Sequence, residues 1–257
     1  MPRRPQRFFV EQPLAVGATV RLSPDQTRQM SAVLRLRAGD RVVLFDGDGF
    51  DYPAVVELLS RPEATVTIEG REPAAAFPPP EITLAVSLIK PERFEWMLQK
   101  STELGVAAIV PMECDRSVVS LQTGRAKHRS ERWRRIVIEA AEQCGRATIP
   151  RLDEPQPFAS VLQAARGAPA VLLWEGERRT ALAGLLRRFG VPSWLLVGPE
   201  GGFSAAEIAL ARSAGLGFAS LGPLILRTET AAVAALASIR ALTLDDDVDE
   251  SEGSLAS

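Results

Sequence analysis

Apolar and polar positions change their spacing once along the chain, and the change divides it. Before about residue 70, short stretches with strand-like alternation occupy 7–10, 19–22, 41–45, 54–59 and 64–69, separated by turns such as Gly47-Asp48-Gly49. One helix interrupts them. Ser23-Pro24-Asp25-Gln26 opens it, with Ser23 as cap, Pro24 at the first helical position and Gln26 completing a capping box. From residue 82, apolar runs at 82–89, 106–112, 170–174, 194–197 and 218–221 alternate with segments of helical period at 91–104, 125–144, 158–165, 180–189, 204–214 and 230–242. Phe94, Met97, Leu98 and Leu104 share one face of the first of these helices, and Gly105 stops it. This alternation predicts a mainly parallel sheet covered on both faces. Pro73, Pro78, Pro79 and Pro80 cannot enter a sheet interior, so 73–81 reads as a linker between a small β-rich domain (1–72) and an α/β domain (82–244).

Composition removes chemistry rather than adding it. Of 257 residues, 46 % are apolar and 24 % charged, as in an ordinary globular chain. No apolar run reaches the roughly 18 residues of a membrane span, and the arginine-rich start has no signal-like apolar stretch. A cytoplasmic protein with no membrane partner is expected. His128 is the only histidine, and Cys114 and Cys144 the only cysteines, so zinc clusters and histidine-dependent triads are excluded and no metal is expected. The net charge of −2 conceals an asymmetry. From Asp245 onward come six acids and no base, a tail expected to be disordered over 245–257. The preceding body has 30 bases against 26 acids, or +4, and Arg116 to Arg135 holds seven bases against Glu131 alone. A polyanionic partner and a solvated arginine face both fit that stretch.

Two segments carry candidate chemistry. In the first, the run Leu195-Leu196-Val197 empties into Gly198-Pro199-Glu200-Gly201-Gly202, followed by a helix with Ser204 and Glu207 as capping box. Glycines at the carboxyl end of a parallel strand let main chain approach a ligand closely. No Walker lysine follows, and no dinucleotide fingerprint opens a helix. The second segment is Leu221-Gly222-Pro223-Leu224-Ile225-Leu226-Arg227-Thr228-Glu229-Thr230-Ala231. Helix capping accounts for Thr228, Glu229 and Thr230. It does not account for Arg227, a cation set against the positive end of a helix.

These paired segments resemble the carboxy-terminal signature of the SPOUT methyltransferases. More of the chain resembles one branch, the RsmE-type enzymes acting on uracil N3 of 16S ribosomal RNA. The matching pieces are Arg7-Phe8-Phe9-Val10, Val33-Leu34-Arg35-Leu36 with Gly39-Asp40, Phe45-Asp46-Gly47, Lys100 to Val106, Arg116-Ser117, and Glu142-Gln143-Cys144-Gly145-Arg146. Together they cover about residues 7 to 242 in order. The resemblance implies an amino-terminal PUA-like β-barrel, then a SPOUT α/β domain tied in a deep trefoil knot, in a homodimer. It also implies S-adenosylmethionine held by main chain around Trp174, Glu175 and Gly176, around Val197, Gly198, Pro199, Gly201 and Gly202, and around Leu221, Gly222, Leu226, Thr228 and Ala231. Arg7, Arg35, Lys100, Arg116 and Arg146 fall in matching segments and suit RNA phosphates, while Glu103 and Gln143 suit a base edge. Gln29 stands where many relatives have histidine.

The reaction sets its own demands. Uracil N3 must lose a proton before its lone pair can attack a sulfonium methyl, so a site needs a base and a cation. Glu229 or Glu200 is the candidate base, and Arg227 the cation that stabilises the uracil oxygen. Two other readings stay open: a SPOUT enzyme modifying a ribose hydroxyl or a transfer-RNA base, and a ribosome-assembly RNA-binding protein that no longer transfers methyl groups.

Overall fold

The computed structural model describes residues 5–60, 62–74, 81–119 and 126–253. They fall into two compact units, Met1–Phe77 with Ile138–Ile149, and Pro78–Val137 with Pro150–Ser257.

The first unit is built on β1 (Gln6–Phe9), β2 (Thr19–Arg21), β3 (Arg41–Phe45), β4 (Phe50–Ser60), β5 (Glu63–Ile68) and the short β6 (Glu72–Pro73). They form one sheet in the order β1-β3-β4-β5-β2, with β6 on β4; β1 runs parallel to β3 and the other pairs are antiparallel. Alternation sorts the side chains. In β5, Ala64, Val66 and Ile68 enter the core with Phe8, Val42, Leu44 and Val56, while Glu63, Thr65 and Thr67 turn away. Helix α1 (Pro24–Arg28) carries the expected capping box and continues into a π-helical turn at Gln29–Val33. β4 begins four residues earlier than the sequence suggests, because Pro53 fits an extended strand and its carbonyl still accepts the Glu69 N–H at 2.8 Å.

The second unit carries the remaining elements: β7 (Thr83–Ser87), α2 (Pro91–Glu103), β8 (Ala108–Glu113), α3 (Ala126–Cys144), β9 (Arg151–Leu152), β10 (Gln156–Pro157), α4 (Phe158–Ala164), β11 (Ala170–Leu173), α5 (Leu182–Phe189), β12 (Trp194–Val197), α6 (Ala205–Ser213), β13 (Gly217–Ala219) and α7 (Thr228–Gly253). Its sheet runs β10-β8-β7-β12-β11-β13, with β9 on β8, and every pairing is parallel. β11 is buried throughout, as a parallel strand covered on both faces must be. The strand order reverses between β7 and β12. In sheets of this kind the carboxyl ends of the strands at such a reversal form the binding crevice.

Three expectations are corrected. The division is not linear, because the end of α3 belongs to the first unit: Ala141 and Ala147 pack with Phe45, and Glu142 Oε1 accepts the Phe9 N–H at 2.9 Å. Pro73 is part of β6, paired with Phe50, rather than linker; 75–80 lie outside the described residues. The acidic segment begins as helix, because α7 meets no glycine or proline between Thr228 and Gly253 to stop it. Residues 254–257 of the expected disordered tail lie outside the described residues. Among the described residues no helix is long and apolar enough to cross a membrane.

Candidate active site

β11 lies between β12 and β13, so the loops leaving their carboxyl ends emerge side by side. Hydrogen bonds join them. The Trp174 N–H donates to Ala219 O, and the Ser220 N–H to Thr180 O, both at 2.9 Å. Thr228 Oγ1 donates to Gly198 O at 2.8 Å, fastening the start of α7 to the glycine turn after β12. Close packing explains the glycines: a Cβ at Gly198 would lie 2.7 Å from the buried Phe203 ring, and one at Gly176 would lie 2.3 Å from the Trp174 ring. Trp174 is itself held edge-on to Phe218, with Arg212 over its face.

The exit of β8 joins the same cluster. The buried Glu207 carboxylate accepts the Ser204 N–H of its own capping box at 2.7 Å and the Asp115 N–H at 2.9 Å, while Arg116 Nη1 donates to Gly201 O at 2.9 Å. Ser117 accepts the Cys114 N–H and bonds Ser87 at the end of β7. Burial and the nearby Glu207 carboxylate push the Cys114 thiol far above its ordinary range, so it is no nucleophile.

The charged groups complete the site. Glu229, in the first turn of α7, has a side chain only 10 % exposed, and its buried Oε2 has no hydrogen-bond partner. Its Oε1 lies 3.7 Å from Nε of Arg93 on α2, and the same guanidinium pairs with Glu200 through Nη1. Sequence reasoning missed Arg93. The signal was available, since a cation in the first turn of a helix is the anomaly that singled out Arg227. Arg227 itself is exposed and has no ion-pair partner among the described residues.

The chain matches the family model for an RNA methyltransferase domain over residues 77–240 and that for an RNA methyltransferase PUA domain over 32–69. It is 32 % identical to ribosomal RNA small subunit methyltransferase E of Bacillus subtilis, covering 91 % of this chain and 95 % of the relative. It is 34 % identical to the protein of that name from Synechocystis, covering 92 % and 77 %. The crystal structure of the Neisseria gonorrhoeae protein of the same name, bound to S-adenosyl methionine, matches with a TM-score of 0.85 at 34 % identity over 93 % of this chain and 98 % of that one. A Legionella pneumophila methyltransferase in complex with the cofactor gives 0.81 at 32 %, over 93 % and 98 %. The chain belongs to the ribosomal RNA small subunit methyltransferase E family. Its first unit is PUA-like and its second is a SPOUT α/β domain, as the resemblance implied.

In this family member the sequence-derived cofactor residues do come together, since all lie at the exits of β11, β12 and β13. Main-chain groups, an aromatic ring and the exposed carboxylate of Glu175 fit an adenine and a cationic sulfonium, and the turn lacks the lysine of a phosphate loop. The residues read as RNA contacts divide. Arg7 is committed to Asp51 through two bonds of 2.5 and 2.7 Å under the Phe45 ring, because a nearly buried guanidinium requires such a partner. Lys100 and Glu103 pair with each other at 2.8 and 3.0 Å, and Arg146 donates to Thr148. Arg35 and Gln143 are exposed.

Arg35 stands out because its φ of +56° is left-handed, a conformation that costs a residue with a Cβ about 1 kcal/mol. Arg35→Gly is expected to raise the unfolding free energy by about 0.5–1 kcal/mol. Binding to small-subunit RNA should weaken, with a salt dependence shallower by about one ion. Denaturant titration together with filter binding at several salt concentrations checks both. Lower stability, or unchanged RNA affinity, would show that the strained backbone serves no contact.

Proposed function

We propose that this protein transfers the methyl group of S-adenosylmethionine to N3 of one uridine in 16S ribosomal RNA. It does so in the cytoplasm, as a homodimer whose SPOUT domain is knotted. The observation that carries this reading is at the start of α7. Arg227 and Glu229 flank Thr228, which is bonded to the glycine turn after β12.

The main chain around Trp174–Gly176, Val197–Gly202 and Leu221–Ala231 would hold S-adenosylmethionine, which supplies an electrophilic methyl group when bound. Glu229, whose side chain is only slightly exposed, accepts the N3 proton. The N3 lone pair is then free to attack the methyl carbon as the carbon–sulfur bond breaks. Arg227, charged at every working pH, donates to the uracil oxygen on which negative charge collects. N3 is hidden in a base pair, so the target uridine must be unpaired or turned out of its helix. Arg35 on the PUA-like unit and Arg116 at the glycine turn supply cations for the RNA backbone.

Nucleoside mass spectrometry of 16S RNA from cells lacking the protein is expected to show loss of a single N3-methyluridine. Purified protein, donor and mutant small subunits should restore it. Loss of a ribose methylation, or an unchanged profile, would overturn the assignment.

A further inference from the structure

The glycine turn after β12 is held largely from outside. Within it the Gly202 N–H closes on Pro199 O at 2.9 Å. Three other elements then take one residue each: Thr228 at the start of α7 donates to Gly198 O, Arg93 on α2 pairs with Glu200, and Arg116 beyond β8 donates to Gly201 O at 2.9 Å. The last contact is close, since a Cβ on Gly201 would lie 3.2 Å from that of Arg116. β7 stands between β8 and β12 in the sheet, so the loop that carries Arg116 reaches the turn across the end of β7. Ser117 Oγ accepts the Cys114 N–H at 2.8 Å and bonds Ser87 Oγ at 2.9 Å; the Asp115 N–H donates to the buried Glu207, and Asp115 Oδ2 accepts the Ser204 hydroxyl at 2.5 Å. Residues on both sides of Arg116 are therefore fixed, and only its side chain has to be ordered to make the bond to Gly201. That side chain is exposed and makes no ion pair among the described residues.

We propose that Arg116 is a positioning residue for the methyl donor: through Gly201 O it holds the glycine turn in the shape that binds S-adenosylmethionine. This rests on the reading that the turn holds the donor. It gives Arg116 a task on the donor side of the site besides the RNA backbone, and the two tasks separate because donor binding is measured with no RNA present.

Arg116→Met keeps the aliphatic stem beside Gly201 and removes the donor to its carbonyl. In calorimetry on the purified full chain without RNA, S-adenosylmethionine should bind about tenfold more weakly than to wild type, the lower end for a hydrogen bond made by a charged group. S-adenosylhomocysteine should weaken by the same factor, because a turn built of main chain does not read the sulfonium charge. A purely electrostatic role has the opposite sign: removing a cation would tighten the cationic donor and leave the uncharged thioether product where it was. Arg116→Lys retains N–H donors on a stem of similar length and should stay within about threefold of wild type. In turnover on small subunits lacking the modification, the loss in Arg116→Met should fall on the donor KM more than on kcat, whereas a partly misfolded protein loses kcat and keeps its KM.

Unchanged donor affinity in Arg116→Met, or a loss confined to one of the two ligands, overturns the proposal and leaves Arg116 to the RNA. Thermal unfolding of both variants is the check on folding, and a Met variant that no longer folds would make Arg116 a structural residue and overturn it too. The reading on which the proposal rests fails separately, if the wild-type protein itself shows no saturable binding of S-adenosylmethionine.

Discussion

Arg227→Ala is expected to lower kcat by about 10²- to 10³-fold, the loss typical when one donor to a developing oxyanion is removed. Donor affinity and folding should be almost untouched. The guanidinium is exposed, has no ion-pair partner among the described residues, and sits at the positive end of α7, where alanine removes an unfavourable charge. Arg227→Lys should recover only part of the rate, because an ammonium is a point charge without the planar fork of a guanidinium. Single-turnover kinetics on unmodified small subunits, with calorimetry for the donor and thermal unfolding for the fold, separate these effects. A variant that turns over at nearly the wild-type rate would show that the uracil charge is stabilised elsewhere. A variant that unfolds would make Arg227 a structural residue.

The second large effect concerns Glu142, on the part of α3 that folds with the first unit. Burial, reinforced by Glu139, pushes its carboxyl up to about 7, against the lowering influence of the Phe9 N–H and Arg7. In the unfolded chain the same group releases its proton near pH 4.5. Between those values the folded protein holds a proton that the unfolded protein has lost, so stability falls as the pH rises through that window and is flat above about 7. The whole effect is worth about 3 kcal/mol. Glu142→Gln cannot ionise, yet its amide oxygen still accepts the Phe9 N–H. It should match wild type within about 0.5 kcal/mol at pH 4.5 and exceed it by about 3 kcal/mol at pH 8. Urea titrations at both pH values measure this. Parallel stability profiles for the two proteins would show that Glu142 is ionised in the fold at neutral pH.

Local chemistry was legible in the sequence wherever a short segment determines its own conformation. The capping boxes Ser23/Gln26 and Ser204/Glu207 form as read, because each is closed within three residues. Uninterrupted apolar runs became the buried strands β7, β11 and β12, since a strand covered on both faces tolerates no polar alternation. Signature motifs singled out the segments that leave β11, β12 and β13, strands the fold sets side by side.

What the sequence could not reveal are relations between residues far apart in the chain. β9 and β10 are pairs of residues with no periodicity of their own, defined only by pairing with β8. Arg7 looked like a phosphate contact until Asp51, 44 residues away, was seen to take its charge. Glu200 and Glu229 come to share one cation only because α2 brings Arg93 to both. Capping and burial patterns are short-range and leave a trace in the order of residues. The pairing of a buried charge depends on which distant side chains share its low-dielectric surroundings, and only the folded chain decides that.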